Sequence, residues 1–236
     1  MEPRQIESAA DFVEVLAATG RPTEDGIRVA TEREIAALTN LSRPRVREYL
    51  AGLQTVGLLS RVQGSGTVLR VPDADEKSNV FTLMEKSGQL PIDDIERFRE
   101  MLEIGVLPQL STPLEEGIAA QLRALIDDMH AASANGDAAA GCEADLAFHR
   151  LLLRQADNAL LTFVIDSLDG ALRSDILDRR RHALAAETAA NGGSKPEVFR
   201  TDSVHEEIVT ALESGHPTAI SAAIRLHFDV HRGLLA

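Results

Sequence analysis

The sequence predicts a mainly α-helical protein, in which a small N-terminal unit of helices ending in a β-hairpin precedes an all-helical bundle. Three observations predict it. Aromatic residues make up only 3% of the 236, with no Trp and one Tyr (Tyr49), so the core must be built from Leu, Ile, Val and Ala, and Ala and Leu favour helix. From Ile92 onward apolar residues recur at helical spacing, punctuated by Gly136, Gly192-Gly193 and Gly215-His216-Pro217. The exception is a pair of β-prone runs, 58–62 and 67–71, flanking the glycine turn Gln63-Gly64-Ser65-Gly66.

The N-terminal run 6–19 spaces Phe12, Val13, Leu16 and Ala17 along one helix face. Arg21–Asp25, with Pro22, breaks that pattern. Thr31-Glu32-Arg33-Glu34 is a capping box that opens a short helix to about Leu38. Thr39-Asn40-Leu41 forms a tight turn, and Ser42 caps a second helix over roughly 43–56, stopped by Gly57. The hairpin follows. Pro72 to Pro91 is polar and charge-mixed, a linker with a short helix around Phe81–Met84. Helices are then predicted over 92–107, 113–134, 137–155, 158–183, 197–214 and 217–234, with Ala183–Ser194 as a loop or frayed helix end. The expected domains are 1–74, a linker 75–91, and 92–236.

Apolar residues at 44% and charged residues at 26% fit a globular chain. No stretch reaches the length of a membrane span, and the N-terminus lacks the apolar core of a signal peptide. A lone Cys142 excludes an internal disulfide and fits the reducing cytoplasm. The net charge of −13 argues on average against nucleic acid, but the average misleads. Residues 1–71 are neutral overall, and 26–71 hold seven Arg against three Glu, while 72–236 carry the whole acidic excess. Only the N-terminal module favours a polyanion.

Two short helices joined by a tight turn form a helix-turn-helix, whose second helix enters the DNA major groove. Here that helix begins Ser42-Arg43-Pro44-Arg45-Val46-Arg47. Three cations at the positive end of a helix dipole are unfavourable unless an external anion compensates, and duplex DNA supplies phosphate. Arg43 and Arg47 share a face, Arg45 points toward the DNA backbone or a neighbouring base, and Arg33 is placed for a phosphate. An Arg bidentate to guanine is worth about 1–3 kcal/mol of discrimination. Gln63–Gly66 lets the hairpin backbone approach the minor groove. The segments Thr31–Ala36, Leu41–Leu50 and Gly57–Thr67 resemble the winged helix-turn-helix of the GntR family of bacterial transcription regulators. That resemblance implies DNA contacts by Arg33, Ser42, Arg43, Arg47 and the wing around Gln63 and Gly64. Ala30 replaces the usual proline before the capping box, and Pro44 and Arg45 fill positions that are often small and polar, so operator sequence does not carry over.

The C-terminal helices hold polar residues on apolar faces. Asp145 and His149 are four apart and stack with Phe148 and Leu152; His205 shares a face with Ile208, Val209 and Leu212; His227 shares one with Ile220, Ala223, Ile224 and Leu234. Burying each unpaired costs a few kcal/mol, and a divalent cation partners all four: imidazoles plus a carboxylate suit Zn, Mn, Fe or Ni. His231, one turn after His227, competes as a ligand, whereas His130, His182 and His216 read as ordinary core or surface residues. Arg99 falls on the inward stripe of Ile92, Ile95, Leu102 and Val106, and a buried guanidinium needs an anion: either Glu103 one turn on, or a ligand carboxylate between Arg99 and the metal. Asp145–His149, Asn158–Leu161, Val204–Ile208 and Ile224–His227 resemble the FCD effector domain of the FadR-type branch of GntR regulators. The resemblance implies that Asp145, His149, His205 and His227 bind a metal that helps hold a small carboxylate effector. Pro108 and Pro113 depart from the family's Ala-rich run.

The expected function is a dimeric, ligand-controlled regulator on a palindromic operator, a repressor by analogy, and not an enzyme. Two alternatives remain open. One is a metal-dependent hydrolase with Glu206 or Glu207 as base, disfavoured because residues adjacent to His205 turn about 100° or more away around the helix. The other is a regulator whose metal is purely structural.

Overall fold

The computed structural model describes residues 5–62, 66–110 and 114–233, apart from the side chains of 74 and 75. It divides into two compact units, 1–79 and 80–236.

In the first unit α1 (Ala9–Thr19) starts at Ser8, whose hydroxyl and the Asp11 carboxylate form a capping box, and buries Phe12, Val15 and Leu16. Residues 21–28 form a hairpin rather than an irregular break: β1 (Arg21–Thr23) pairs antiparallel with β2 (Gly26–Arg28). The turn depends on Gly26, at φ 132°, where an added Cβ would sit 2.4 Å from the Leu69 carbonyl. The Thr31 capping box opens α2 (Glu32–Thr39), which ends at Asn40 in the left-handed conformation. Ser42 caps α3 (Arg43–Thr55) by accepting from the Arg45 amide. Strands β3 (Leu59–Val62) and β4 (Gly66–Leu69) complete a four-stranded sheet in the order β1-β2-β4-β3. Phe12, Leu16, Ile35, Val46, Leu53 and Leu59 close the core, with Phe12 stacked on Tyr49 at 4.7 Å.

A 13-residue helix, α4 (Ala74–Lys86), spans the segment expected to be mainly linker. The second unit contains α5 (Ile92–Val106), a short 3₁₀ turn at Pro108, α6 (Glu116–Asn135), α7 (Ala138–Arg154), α8 (Ala159–Ala190), α9 (Arg200–Ser214) and α10 (Pro217–Gly233). Helix α7 packs between α6 and α8, while α10 packs on α9 and α5. Helix α8 runs 32 residues, continuing through the Ala-rich stretch expected to fray. Propensity favours this, and Glu187 gives the reason in three dimensions. Its carboxylate accepts from the Arg200 and Thr201 amides at 2.5 and 3.0 Å, serving the first turn of α9, where Phe199 offers no side-chain cap.

Gly141 on α7 lies against the fully buried Arg180, whose Nη2 donates to Asp202 at 2.6 Å and to Ser133 at 3.2 Å. A Cβ at 141 would meet the Arg180 Nε at 2.5 Å. Gly141→Ala is therefore expected to destabilise. The overpacking cost of about 1–3 kcal/mol outweighs the gain in helix propensity, about 1 kcal/mol, because two partners hold the guanidinium in place. Thermal denaturation checks this; an unchanged or higher Tm would show that Arg180 can yield.

Candidate metal centre and nucleic-acid interface

At the start of α3, Ser42, Arg43, Arg45 and Arg47 are exposed, as is Arg33 on α2. Arg33 and Arg43 make no ion pair among the described residues. Arg47 Nε donates to Glu32 at 2.7 Å. Arg45 turns back along its own helix, donating to Glu48 at 2.7 Å with its guanidinium 4.8 Å from the centre of the Tyr49 ring. Gln63 and Gly64 lie outside the described residues. A hollow of about 890 Å³ beside α3 is lined by Arg21, Arg28, Arg47 and Arg61 together with Glu32 and Glu34. Spacing along the chain does not bring Arg28 beside the wing; the pairing of β2 with β4 does.

In the second unit, Asp145 and His149 on α7, His205 on α9 and His227 on α10 are all buried. Ligand atoms of His149, His205 and His227 lie within 4.8 Å of one another, as do those of Asp145, His205 and His231. The His205 ring fixes the chemistry. Its Nδ1 is 2.9 Å from the Asp202 carbonyl, which can only accept, so Nδ1 carries the proton. Nε2 then faces Asp145 Oδ1 at 3.3 Å with a lone pair toward a carboxylate. A proton or a cation must lie between them. Buried, unpartnered nitrogens on His149 (Nε2) and His227 (Nδ1) in the same cluster favour the cation. The 3.3 Å separation also suits two ligands sharing one ion at bonds of about 2.1 Å. The residues fit a divalent transition metal.

Around them stands an orienting layer. Glu103, fully buried on α5, lies 2.9 Å from His149 Nδ1 and accepts from Arg99 Nε at 3.0 Å. This is the carboxylate–imidazole arrangement that fixes a metal-ligating ring. Spacing along the chain offers Glu103 only as a partner for Arg99; its contact with His149 needs α5 against α7, which spacing does not supply. Arg99 Nη2 is 3.7 Å from Asp145. Glu206 pairs with Arg123 at 2.9 Å and Glu207 with Arg200 at 2.8 Å, so neither candidate base is directed at the cluster.

Burial pushes the Asp145 carboxyl up, but the His205 ring beside it, with His149 and Arg99 close by, outweighs it and holds it well below the usual range. Glu103 is likewise drawn down against its burial, by His149 and Arg99. Burial, then the neighbouring rings, presses His227 well below the ordinary histidine value; burial does the same to His231. In chelator-treated protein both rings are therefore expected to stay neutral as pH falls from about 7.5 to about 5.5, across the ordinary value near 6.5. An NMR titration checks this, and a midpoint near 6.5 would contradict it. The unfolded chain protonates these rings first. Their contribution to stability is full above about pH 6.5 and is lost as the pH drops below it.

A winged helix-turn-helix joined in one chain to a helical bundle with a buried donor cluster is the architecture of a transcription regulator. The FCD domain family matches residues 94–230. The chain is 25% identical over 202 residues to the HTH-type transcriptional regulator LutR of Bacillus subtilis, covering 86% of this chain and 88% of that protein. It is also 25% identical over 213 residues to the HTH-type transcriptional repressor NanR of Citrobacter rodentium, covering 87% and 75%. A GntR protein of Streptococcus agalactiae shares the fold with a TM-score of 0.61 at 20% identity, over 95% of this chain and 97% of that one. The chain belongs to the GntR family of transcription regulators, in the branch that carries an FCD domain. No described helix is long and apolar enough to cross a membrane.

Proposed function

We propose that this regulator binds a palindromic operator as a homodimer and senses a small carboxylate through a metal held by Asp145, His149, His205 and His227, releasing repression when the carboxylate binds. The observation that carries the reading is the His205 ring, whose Nε2 faces the Asp145 carboxylate at 3.3 Å while its Nδ1 faces the Asp202 carbonyl at 2.9 Å. When bound, the metal supplies a Lewis-acidic position for an effector oxygen. The chain's own residues do the rest: Glu103 orients His149, the Asp202 carbonyl orients His205, and Arg99 offers a guanidinium to the effector. In the N-terminal module, residues 1–74, Arg33, Ser42, Arg43 and Arg47 meet the DNA, with Arg45 after it leaves Glu48. Arg28 and Arg61 add phosphate contacts from the hollow. The effector must bind the DNA-competent and incompetent arrangements unequally, or nothing switches.

One observation favours a second reading, a purely structural metal. The space lined by Arg99, Asp145, His227 and Phe228 is about 10 Å³, room for an ion or one water, so an effector enters only if the bundle opens. Thermal-shift titration of metal-loaded protein with hydroxy acids, sugar acids and other small carboxylates separates the two. A carboxylate that raises Tm only when metal is present and weakens operator binding supports sensing. Metal-dependent stability with no response to any carboxylate supports the structural role.

A further inference from the structure

Four donors leave two positions free on a six-coordinate ion, and a neighbouring residue is built to fill one of them. His231 lies one helical turn beyond His227 on α10, so the two rings stack along one face, their centroids 4.4 Å apart. A ring nitrogen of His231 lies within 4.8 Å of ligand atoms of both Asp145 and His205. Its Nε2 is buried and has no hydrogen-bond partner among the described residues. Its Nδ1 sits 3.5 Å from the hydroxyl of the fully buried Thr201, which tends to turn Nε2 inward, much as the Asp202 carbonyl orients His205. His231 also lines the ion-sized space together with Asp145 and His227.

We propose that His231 is a fifth protein donor to the metal centre, so that α7 and α10 each supply a pair of ligands one turn apart and His205 completes the set. This rests on the metal reading above. Its consequence concerns the effector: with five positions taken on a six-coordinate ion, the carboxylate reaches the metal through a single atom and leans on Arg99 for the remainder of its charge. Chelation through two atoms is excluded.

The test uses full-length protein stripped with a chelator and titrated with Co(II) alone. Wild type is expected to bind one ion per chain. His231→Gln is expected to bind it roughly 10–100-fold more weakly, the range seen when residues around a metal are removed, with stronger d–d absorption as the coordination number falls. X-ray absorption of Co(II)-loaded wild type, which does not depend on how any variant folds, is expected to count four imidazoles. Three imidazoles, or a His231→Gln variant with unchanged affinity and spectrum, overturns the role of His231 and leaves the metal reading intact. Failure of wild type to take up Co(II) overturns both.

Discussion

Replacing Arg43 and Arg47 together by Ala is expected to weaken operator binding about a hundredfold or more. Each arginine at the head of a reading helix contributes about 1–3 kcal/mol when it meets a base edge, and removing an arginine that neutralises a phosphate lowers the salt slope by about 1. Arg47 arrives with a deduction, since it is held by Glu32 at 2.7 Å and that pair must open. An exposed pair is worth only about 0–1 kcal/mol, so the loss on DNA dominates. The same geometry gives a prediction of opposite sign: Glu32→Gln releases Arg47, removes an anion from the DNA-facing side, and raises affinity several-fold. Duplexes selected from a random pool, followed by gel-shift titration at several salt concentrations, measure both. Arg43 and Arg47 are exposed and Glu32 is partly so, so stability should hold within about 0.5 kcal/mol. Unchanged affinity and salt slope in the double variant would remove these residues from the interface.

Stripping the metal is expected to lower Tm by roughly 10 °C. A ligand at a thousand times its Kd stabilises by about 4 kcal/mol, and in a chain of this size each kcal/mol moves Tm by about 2–4 °C. His205→Ala should reproduce most of the loss and weaken metal binding by at least about a hundredfold, because His205 belongs to both donor triplets. The comparison is a melting curve of purified, chelated and reconstituted protein, with metal content measured in each. If the purified protein carries no metal and chelation and reconstitution leave the curve unmoved, the donor cluster is an ordinary buried polar core.

Much of the fold is legible in the residues alone. The α2–turn–α3 unit is readable because its signals are local: a Thr31 capping box, a Ser42 cap, and Asn40 between them. Asp145, His149, His205 and His227 are readable because each interrupts an apolar stripe of fixed period; the structure buries all four, with His149 and His227 in one donor triplet with His205 and Asp145 in another. What stays hidden depends on contacts between distant segments. The β1–β2 hairpin is three residues per strand, too short to show alternation, and it is held by pairing of β2 with β4. The last turns of α8 look like a fraying end because Gly192-Gly193 follow just beyond Ala190, and Glu187 stabilises them by reaching across to α9. The Arg180–Asp202 ion pair spans 22 residues, and neither partner sits in a recognisable motif.

The grip of α8 on the start of α9 has a mechanical consequence. Arg180 and Glu187 clamp the same opening turn whose Asp202 carbonyl sets the His205 ring. Helix α8 measures about 48 Å at 1.5 Å per residue. A tilt of about 5° at the clamped end would carry the Asn158 end through roughly 4 Å, so any adjustment at the His205 ring that tilted this helix would be largest at its far end.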